Sequence, residues 1–128
     1  MPVFKNVNRR FYPVDWAYKT QVAVLGATRE KGFNYNMRHF KIEVDGYIPL
    51  HRHSKIFHLQ YVLKGKMRLI IGDEEYIVEY GDVLYLPSGI PHKYINIGDE
   101  PVEFLCITPL YMDDMELLEK VEESPTSS

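Results

Sequence analysis

Short runs in which apolar and polar residues alternate fill the chain between residues 21 and 108. Alternation over four to eight residues is typical of strands with one buried face, and turn signals about every ten residues are typical of an all-β sandwich or barrel. The pattern predicts strands at QVAVL, NYNMRHFKIEV, HLQYVL, KMRLII, EEYIVEY, DVLYLP, HKYINI and VEFLCIT. Glycine reaches positive φ at little cost, so tight reversals are predicted at Asp45-Gly46, Gly72-Asp73, Gly81-Asp82 and Gly98-Asp99.

The two ends of the chain differ from this β-rich body. Residues 1–20 contain aromatic residues without a clear period, and we expect them to cap the sheet or to cover a subunit interface. Residues 113–123, DDMELLEKVEE, carry acidic residues in their first turn, where the helix dipole favours them, and they predict one short helix. Residues 124–128 have nothing apolar to bury and are predicted to be disordered. Residues 21–112 then form one barrel.

Composition narrows the class of protein. A length of 128 residues supports one hydrophobic core. The formal charge of -3 is well mixed along the chain, which disfavours a nucleic-acid partner. A single cysteine, Cys106, excludes a disulfide framework and is typical of a reducing compartment. Neither a membrane span nor a signal peptide is visible, so we expect a cytoplasmic protein that acts on a small molecule.

Histidines are clustered in a way that predicts a metal site. Three of the five lie in HRHSKIFH, and His92 follows in PSGIPHKYIN. Alternate residues of a strand share a face, so His51 and His53 point the same way. His58 rejoins that face only if the SKIF segment contains a turn or bulge, and barrel closure can supply His92. A divalent ion satisfies four buried imidazoles at once, so we favour metal binding over a core of mutually hydrogen-bonded histidines.

The segment MRHFKIEV assigns the faces of one long strand. Its apolar residues Phe40, Ile42 and Val44 define the inner face, so His39 is expected in solvent and not at a metal ion. The same parity puts Arg38 on the inner face. There Arg38 either anchors an anionic group of a substrate or is a rim residue whose head group stays in water.

Two spaced motifs in the chain resemble those of the cupin family. In the first, Gly46 is followed by HRH, a four-residue spacer, His58 and then Gly65. In most cupins a glutamate stands at the position of His58. The second motif is matched at every defined position, by Gly81, Pro87, Gly89, His92 and Asn96. The resemblance covers residues 46–96 and implies a cupin barrel, a double-stranded β-helix of the jelly-roll kind.

The resemblance also implies a set of site residues. It carries over His51, His53 and His92 as metal ligands, with His58 as a substituted fourth. Such a tetrad is similar to that of the small four-histidine cupins, some of which are metal-dependent dioxygenases. By likeness to their VEFLC segment, Phe104 and Cys106 border the cavity, the thiol as a small buried hydrophobe. Strand parity adds further pocket candidates, which are Arg38, Gln60 and Tyr94.

These residues favour one kind of chemistry over others. By parity no carboxylate faces inward, which weakens acid–base mechanisms. Neutral imidazoles leave a divalent ion its full charge, which favours an anionic chelating oxygen ligand such as an enolate. We expect one divalent transition metal, with Fe or Mn favoured and Ni, Cu or Zn still open, since imidazole suits several metals. The hypothesis is a dioxygenase of a small enolizable or enediol substrate, with no catalytic residue assigned.

Two other functions remain open at this stage. One is a non-catalytic cupin that binds a small ligand or a metal as a sensor, and the other is an isomerase or lyase acting on a sugar or keto acid. In each case the expected partner is a small molecule, and the charge of the metal site favours an anionic one. Neither a nucleic acid nor a membrane is expected as a partner. We further expect a homodimer, because edge strands and the aromatic N-terminal segment need cover.

Overall fold

The computed structural model describes residues 3, 5, 9–25, 34–110 and 114–121. Within these residues the strands are β1 (Tyr12–Pro13), β2 (Tyr18–Val24), β3 (Tyr35–His53), β4 (His58–Lys64), β5 (Lys66–Ile71), β6 (Glu74–Glu79), β7 (Val83–Leu86), β8 (His92–Asn96), β9 (Val102–Pro109) and β10 (Met115–Leu117). The expectation of an all-β chain is confirmed. No helix among the described residues is long and apolar enough to cross a membrane.

Strand β3 is the central strand of the sheet and pairs with four other strands. The strands follow the order β6-β5-β8-β3-β9-β4-β7, and each neighbouring pair is antiparallel. The first part of β3 pairs with β9 and the last part pairs with β8, so β3 joins the two arms of the sheet. Strands β2 and β10 also pair with β3. The sheet curls around a common core to which β3 to β9 all contribute side chains.

The predicted reversal at Asp45-Gly46 is wrong, because β3 continues through it. Asp45 has a φ of 69°, which kinks the strand without reversing it. A Cβ on Gly46 would lie 2.9 Å from the carbonyl oxygen of Lys19, so only glycine fits this close approach. Up to Ile42 the strand pairs with β9, and from Tyr47 it pairs with β8. Asp45 and Gly46 therefore redirect β3 from one arm of the sheet to the other.

Alternate residues of the strands fill the core, as their pattern predicts. Buried positions recur at every second residue of β4, β5 and β9, and they are His58, Gln60, Val62, Met67, Leu69, Val102, Phe104, Cys106 and Thr108. Val44 is an exception to the predicted inner face, since 37% of its surface is exposed. It directly precedes the kink at Asp45, where the strand leaves the regular alternation.

The predicted C-terminal helix is wrong within the part that the structure describes. Residues 114–121 contain no helix, and Met115–Leu117 form β10, which pairs antiparallel with residues 51–53. The amide of Leu118 also donates to the carbonyl of Leu50, over 2.9 Å. Backbone hydrogen bonds to the edge of β3 override a weak local helix signal. Residues 113, 122 and 123, and the tail 124–128, lie outside the described residues.

Candidate metal centre

Strand ends bring four histidines together on one side of the sheet. His51 and His53 lie at the end of β3, and His92 opens β8 directly opposite His51. The ring centroids of His51 and His92 are 4.2 Å apart. A bend after β3 lets β4 start at His58, whose ring centroid is 4.4 Å from that of His53. The pairing of β3 with β8 and the bend between β3 and β4 are therefore enough to bring the four histidines together.

Three of these residues offer ring nitrogens close enough to share an ion. One nitrogen each from His51, His53 and His92 lies within 4.8 Å of the others. His58 is outside that set of three, although its ring centroid is 5.6 Å from that of His92. The structure thus places His58 beside a group of three histidines that could hold a metal.

Hydrogen bonds fix which nitrogens are free to bind. Nδ1 of His51 is 2.7 Å from the carbonyl oxygen of Pro49, and Nδ1 of His92 is 3.1 Å from that of Ile90. A carbonyl only accepts, so both Nδ1 atoms donate and both Nε2 atoms keep a lone pair. Nδ1 of His58 is buried with no hydrogen-bond partner, and such an atom costs free energy unless a ligand satisfies it. The donor set fits a divalent ion.

Burial keeps these imidazoles neutral, as a metal ligand must be. It is the main cause that lowers the pKa of His51 to about 4, of His92 to about 3 and of His58 to about 2. Neighbouring histidines lower the pKa of each ring further. At neutral pH no proton competes with an ion for these rings.

The four histidines border a small cavity of about 40 Å³. The rest of its lining comprises the five predicted pocket residues and three more, namely Arg38, Gln60, Tyr94, Phe104, Cys106, Trp16, Phe40 and Ile48. No Asp or Glu is among the described residues that line it. The cavity is small, so it suits an ion with a compact ligand.

Neutral polar groups line the wall beside the histidines. The Gln60 amide donates to the Tyr94 hydroxyl over 2.8 Å and lies 3.4 Å from the Cys106 sulfur. Burial raises the pKa of the Tyr94 hydroxyl and of the Cys106 thiol, so both stay protonated at neutral pH. Neither group can therefore serve as a general base.

Comparison with known proteins decides the family. Residues 38–108, more than half of the chain, match the Cupin_2 family of cupin domains. The chain is a cupin. It is 32% identical over 91 residues to the uncharacterized protein MJ1618 of Methanocaldococcus jannaschii, a match that spans 70% of this chain and 73% of that protein. The expected superfamily is confirmed.

Other similar cupins have diverse activities. A glucose-6-phosphate isomerase of Pyrococcus furiosus is 42% identical over 66 residues, but the match spans 46% of this chain and 35% of the isomerase. The polyketide cyclase RemF of Streptomyces resistomycificus superposes with a TM-score of 0.83 at 23% identity, over 98% of this chain and 89% of the cyclase. At that identity the superposition shows the fold alone.

Trp16 is a lining residue of this cupin that sequence reasoning missed. Its ring meets the ring of His51 edge-on, with centroids 4.7 Å apart. It belongs to the N-terminal segment, whose aromatic residues show no period from which a face could be assigned. Strand parity gives Phe40 an inner position without assigning it to the pocket, and Ile48 carries no sequence signal for the site.

The expectation that His39 lies in solvent is wrong. It points away from the cavity as predicted, but only 6% of its surface is exposed. Its Nε2 donates to Glu103 over 2.8 Å, and its Nδ1 accepts from Arg9 over 2.6 Å. The Phe11 ring packs edge-on against it, with centroids 5.0 Å apart. The N-terminal segment covers this outer face, which parity along β3 cannot reveal.

Proposed function

We propose that this cupin is a metal-dependent dioxygenase of a small enolizable or enediol compound, with His51, His53, His92 and His58 as ligands of one divalent ion. The observation that carries the proposal is a cavity lined by four histidines and no carboxylate, in which burial keeps His51, His58 and His92 neutral. Neutral ligands leave the charge of an ion uncompensated, which favours an anionic oxygen ligand.

A divalent ion in this site would supply positive charge for an enolate oxygen and, as Fe or Mn, a redox couple for dioxygen. The chain itself supplies position and exclusion of water. Trp16 packs on His51, and Phe104, which is 1% exposed, also lines the cavity. These apolar walls favour a compact, largely planar anion, which loses its hydration shell on entering the cavity.

The absence of a base in the lining narrows the substrate class. Tyr94 and Cys106 are neutral, and the described lining contains no carboxylate to abstract a proton. A substrate for this site must therefore ionise readily by itself, as a 1,3-dicarbonyl compound or an enediol does. Sugar isomerisation fits less well, since it needs a placed base.

One alternative follows from the same neutral histidines, which would also stabilise an enolate in a reaction without oxygen. Such a reaction is ring closure, the kind of reaction for which the cyclase RemF is named, although the likeness to RemF shows the fold alone. Ring closure through an enolate uses the same positive charge without oxygen or a redox metal. Zinc held by the histidines would supply that charge as a Lewis acid.

Oxygen uptake separates these functions. Untagged protein is loaded separately with Fe(II), Mn(II) and Zn(II), and 2,4-pentanedione is added in an oxygen-electrode cell. We expect substrate-dependent oxygen consumption by the Fe or Mn form and none by the Zn form or by His92→Ala. His39→Gln, a change outside the cavity, should keep the wild-type rate.

Two outcomes would contradict the dioxygenase. Tight binding of the diketone by every metal form without oxygen uptake over hours would indicate a binding protein. Conversion of the diketone by the Zn form in the absence of oxygen would indicate Lewis-acid catalysis instead.

A further inference from the structure

Arg38 stands in a row of polar side chains along the cavity wall. It pairs across the sheet with Cys106 on β9, and Cys106 pairs in turn with Gln60 on β4. All three residues line the cavity. Gln60 is two residues from His58 on the same face of β4, so the row lies next to the histidine group.

The guanidinium of Arg38 interacts with the Cys106 thiol and with an aromatic ring, and one of its nitrogens has no partner. Its Nε is buried with no hydrogen-bond partner. Its Cζ lies 5.2 Å from the centroid of the Phe40 ring, a cation–π distance. The Arg38 side chain is half-buried, and its Nε is the atom withdrawn from solvent.

No counterion offsets the charge of Arg38 within the described part of the chain. The ion pairs found there involve other cations, and the cavity lining contains no carboxylate. A buried Nε–H without a partner costs free energy, and a planar guanidinium binds a carboxylate through two parallel hydrogen bonds. Arg38 therefore offers an anion a hydrogen-bond donor beside the histidines.

We infer that Arg38 is an anion subsite and that the substrate is a short-chain oxo acid. Its carboxylate binds Arg38 while a carbonyl or enolate oxygen faces the histidines. This rests on the proposed function, to which it adds the carboxylate. The size limit comes from a wall of parallel rings, in which Phe104 stacks on Phe40 at 5.2 Å and on Tyr94 at 5.3 Å between centroids. The small cavity beside this wall favours short acids over long ones.

The test compares pyruvate with pyruvamide, a neutral compound of nearly the same shape. Binding to zinc-loaded protein is measured by calorimetry, with zinc content determined on the same samples. Charge-assisted hydrogen bonds predict that Arg38→Met weakens pyruvate binding about 10- to 100-fold and changes pyruvamide binding little. Arg38→Lys, which keeps the charge and loses the planar fork, should give a smaller loss and serves if the methionine variant does not fold.

Arg52→Met is the matched control. Arg52 lies on the same strand, exposed on the opposite face, with its Nε 2.7 Å from Glu116. Pyruvate binding should be unchanged in this variant. Equal affinity of wild type and Arg38→Met for pyruvate would overturn the subsite, as would the absence of pyruvate binding to zinc-loaded wild type.

Failure of the proposed function gives a different result. If wild-type protein retains no zinc, the metal site is wrong, yet pyruvate binding to metal-free wild type and to metal-free Arg38→Met still reports on the subsite. A difference between the two would support it, and equal or absent binding would refute it.

Discussion

Replacing His92 with alanine is expected to lower the metal content of the protein to less than about a tenth of the wild-type value. One of its ring nitrogens lies within 4.8 Å of a ring nitrogen of His51 and of His53. Its Nδ1 donates to a backbone carbonyl, which leaves Nε2 to bind an ion. Loss of even an orienting partner of a ligand costs about 10- to 100-fold in metal affinity, and loss of the ligand itself costs at least as much. Elemental analysis of dialysed, untagged protein measures the effect.

His58→Ala tests the assignment of the fourth ligand, and His39→Gln is the control. We expect the first variant to lose metal as His92→Ala does, because the buried Nδ1 of His58 has no protein partner. His39 faces Arg9 and Glu103 outside the cavity, so its variant should retain the wild-type metal content. Full metal content in His58→Ala would show that three histidines suffice and that the fourth assignment is wrong.

Metal-free protein is expected to lose several kcal/mol of stability between pH 7.5 and pH 5. Burial holds the pKa of His51, His58 and His92 at about 4, 2 and 3, whereas the unfolded chain binds protons near 6.5. Stability is therefore full above pH 6.5 and falls as the pH drops towards the folded-state values. Each group contributes ~2 kcal/mol to the loss by pH 5, a large share of the total for a domain of this size.

Urea unfolding at pH 7.5, 6.5, 5.8 and 5.0 measures this loss. The window lies above the ordinary pKa of carboxyl groups, so histidines dominate it. His92→Leu, which removes one titrating ring, should show a shallower pH dependence than wild type in the metal-free state. An unchanged free energy of unfolding between pH 7.5 and 5 would show that the rings are not buried as described.

The strands were predictable from sequence because their signal is local. The core positions of β4, β5 and β9 repeat every second residue, and the pattern survives in the folded sheet. The site was predictable in outline for the same reason, since HRH fixes two rings on one face. The register that places His92 opposite His51 depends on closure of the sheet. Local sequence patterns do not determine it, and the family resemblance was needed to assign His92 as a ligand.

The errors arose where distant segments override local preferences. Residues 115–117 carry a weak helix signal, yet the edge of β3 recruits them as a strand. Asp45-Gly46 has the composition of a turn, and only the close approach of the Lys19 carbonyl shows that it is a kink in a continuous strand. His39 faces outward as parity requires, but Arg9 and Phe11 from an aperiodic segment bury it.

Anomalous diffraction from a crystal of the untagged protein tests the central claim most directly. Data collected on both sides of the absorption edge of the metal found by elemental analysis would locate the ion. The account predicts one strong anomalous peak in the cavity. The peak should lie within bonding distance of the Nε2 atoms of His51 and His92, and of one ring nitrogen each of His53 and His58. A metal-replete crystal with no peak in the cavity, or with its peak bound by other residues, would contradict it.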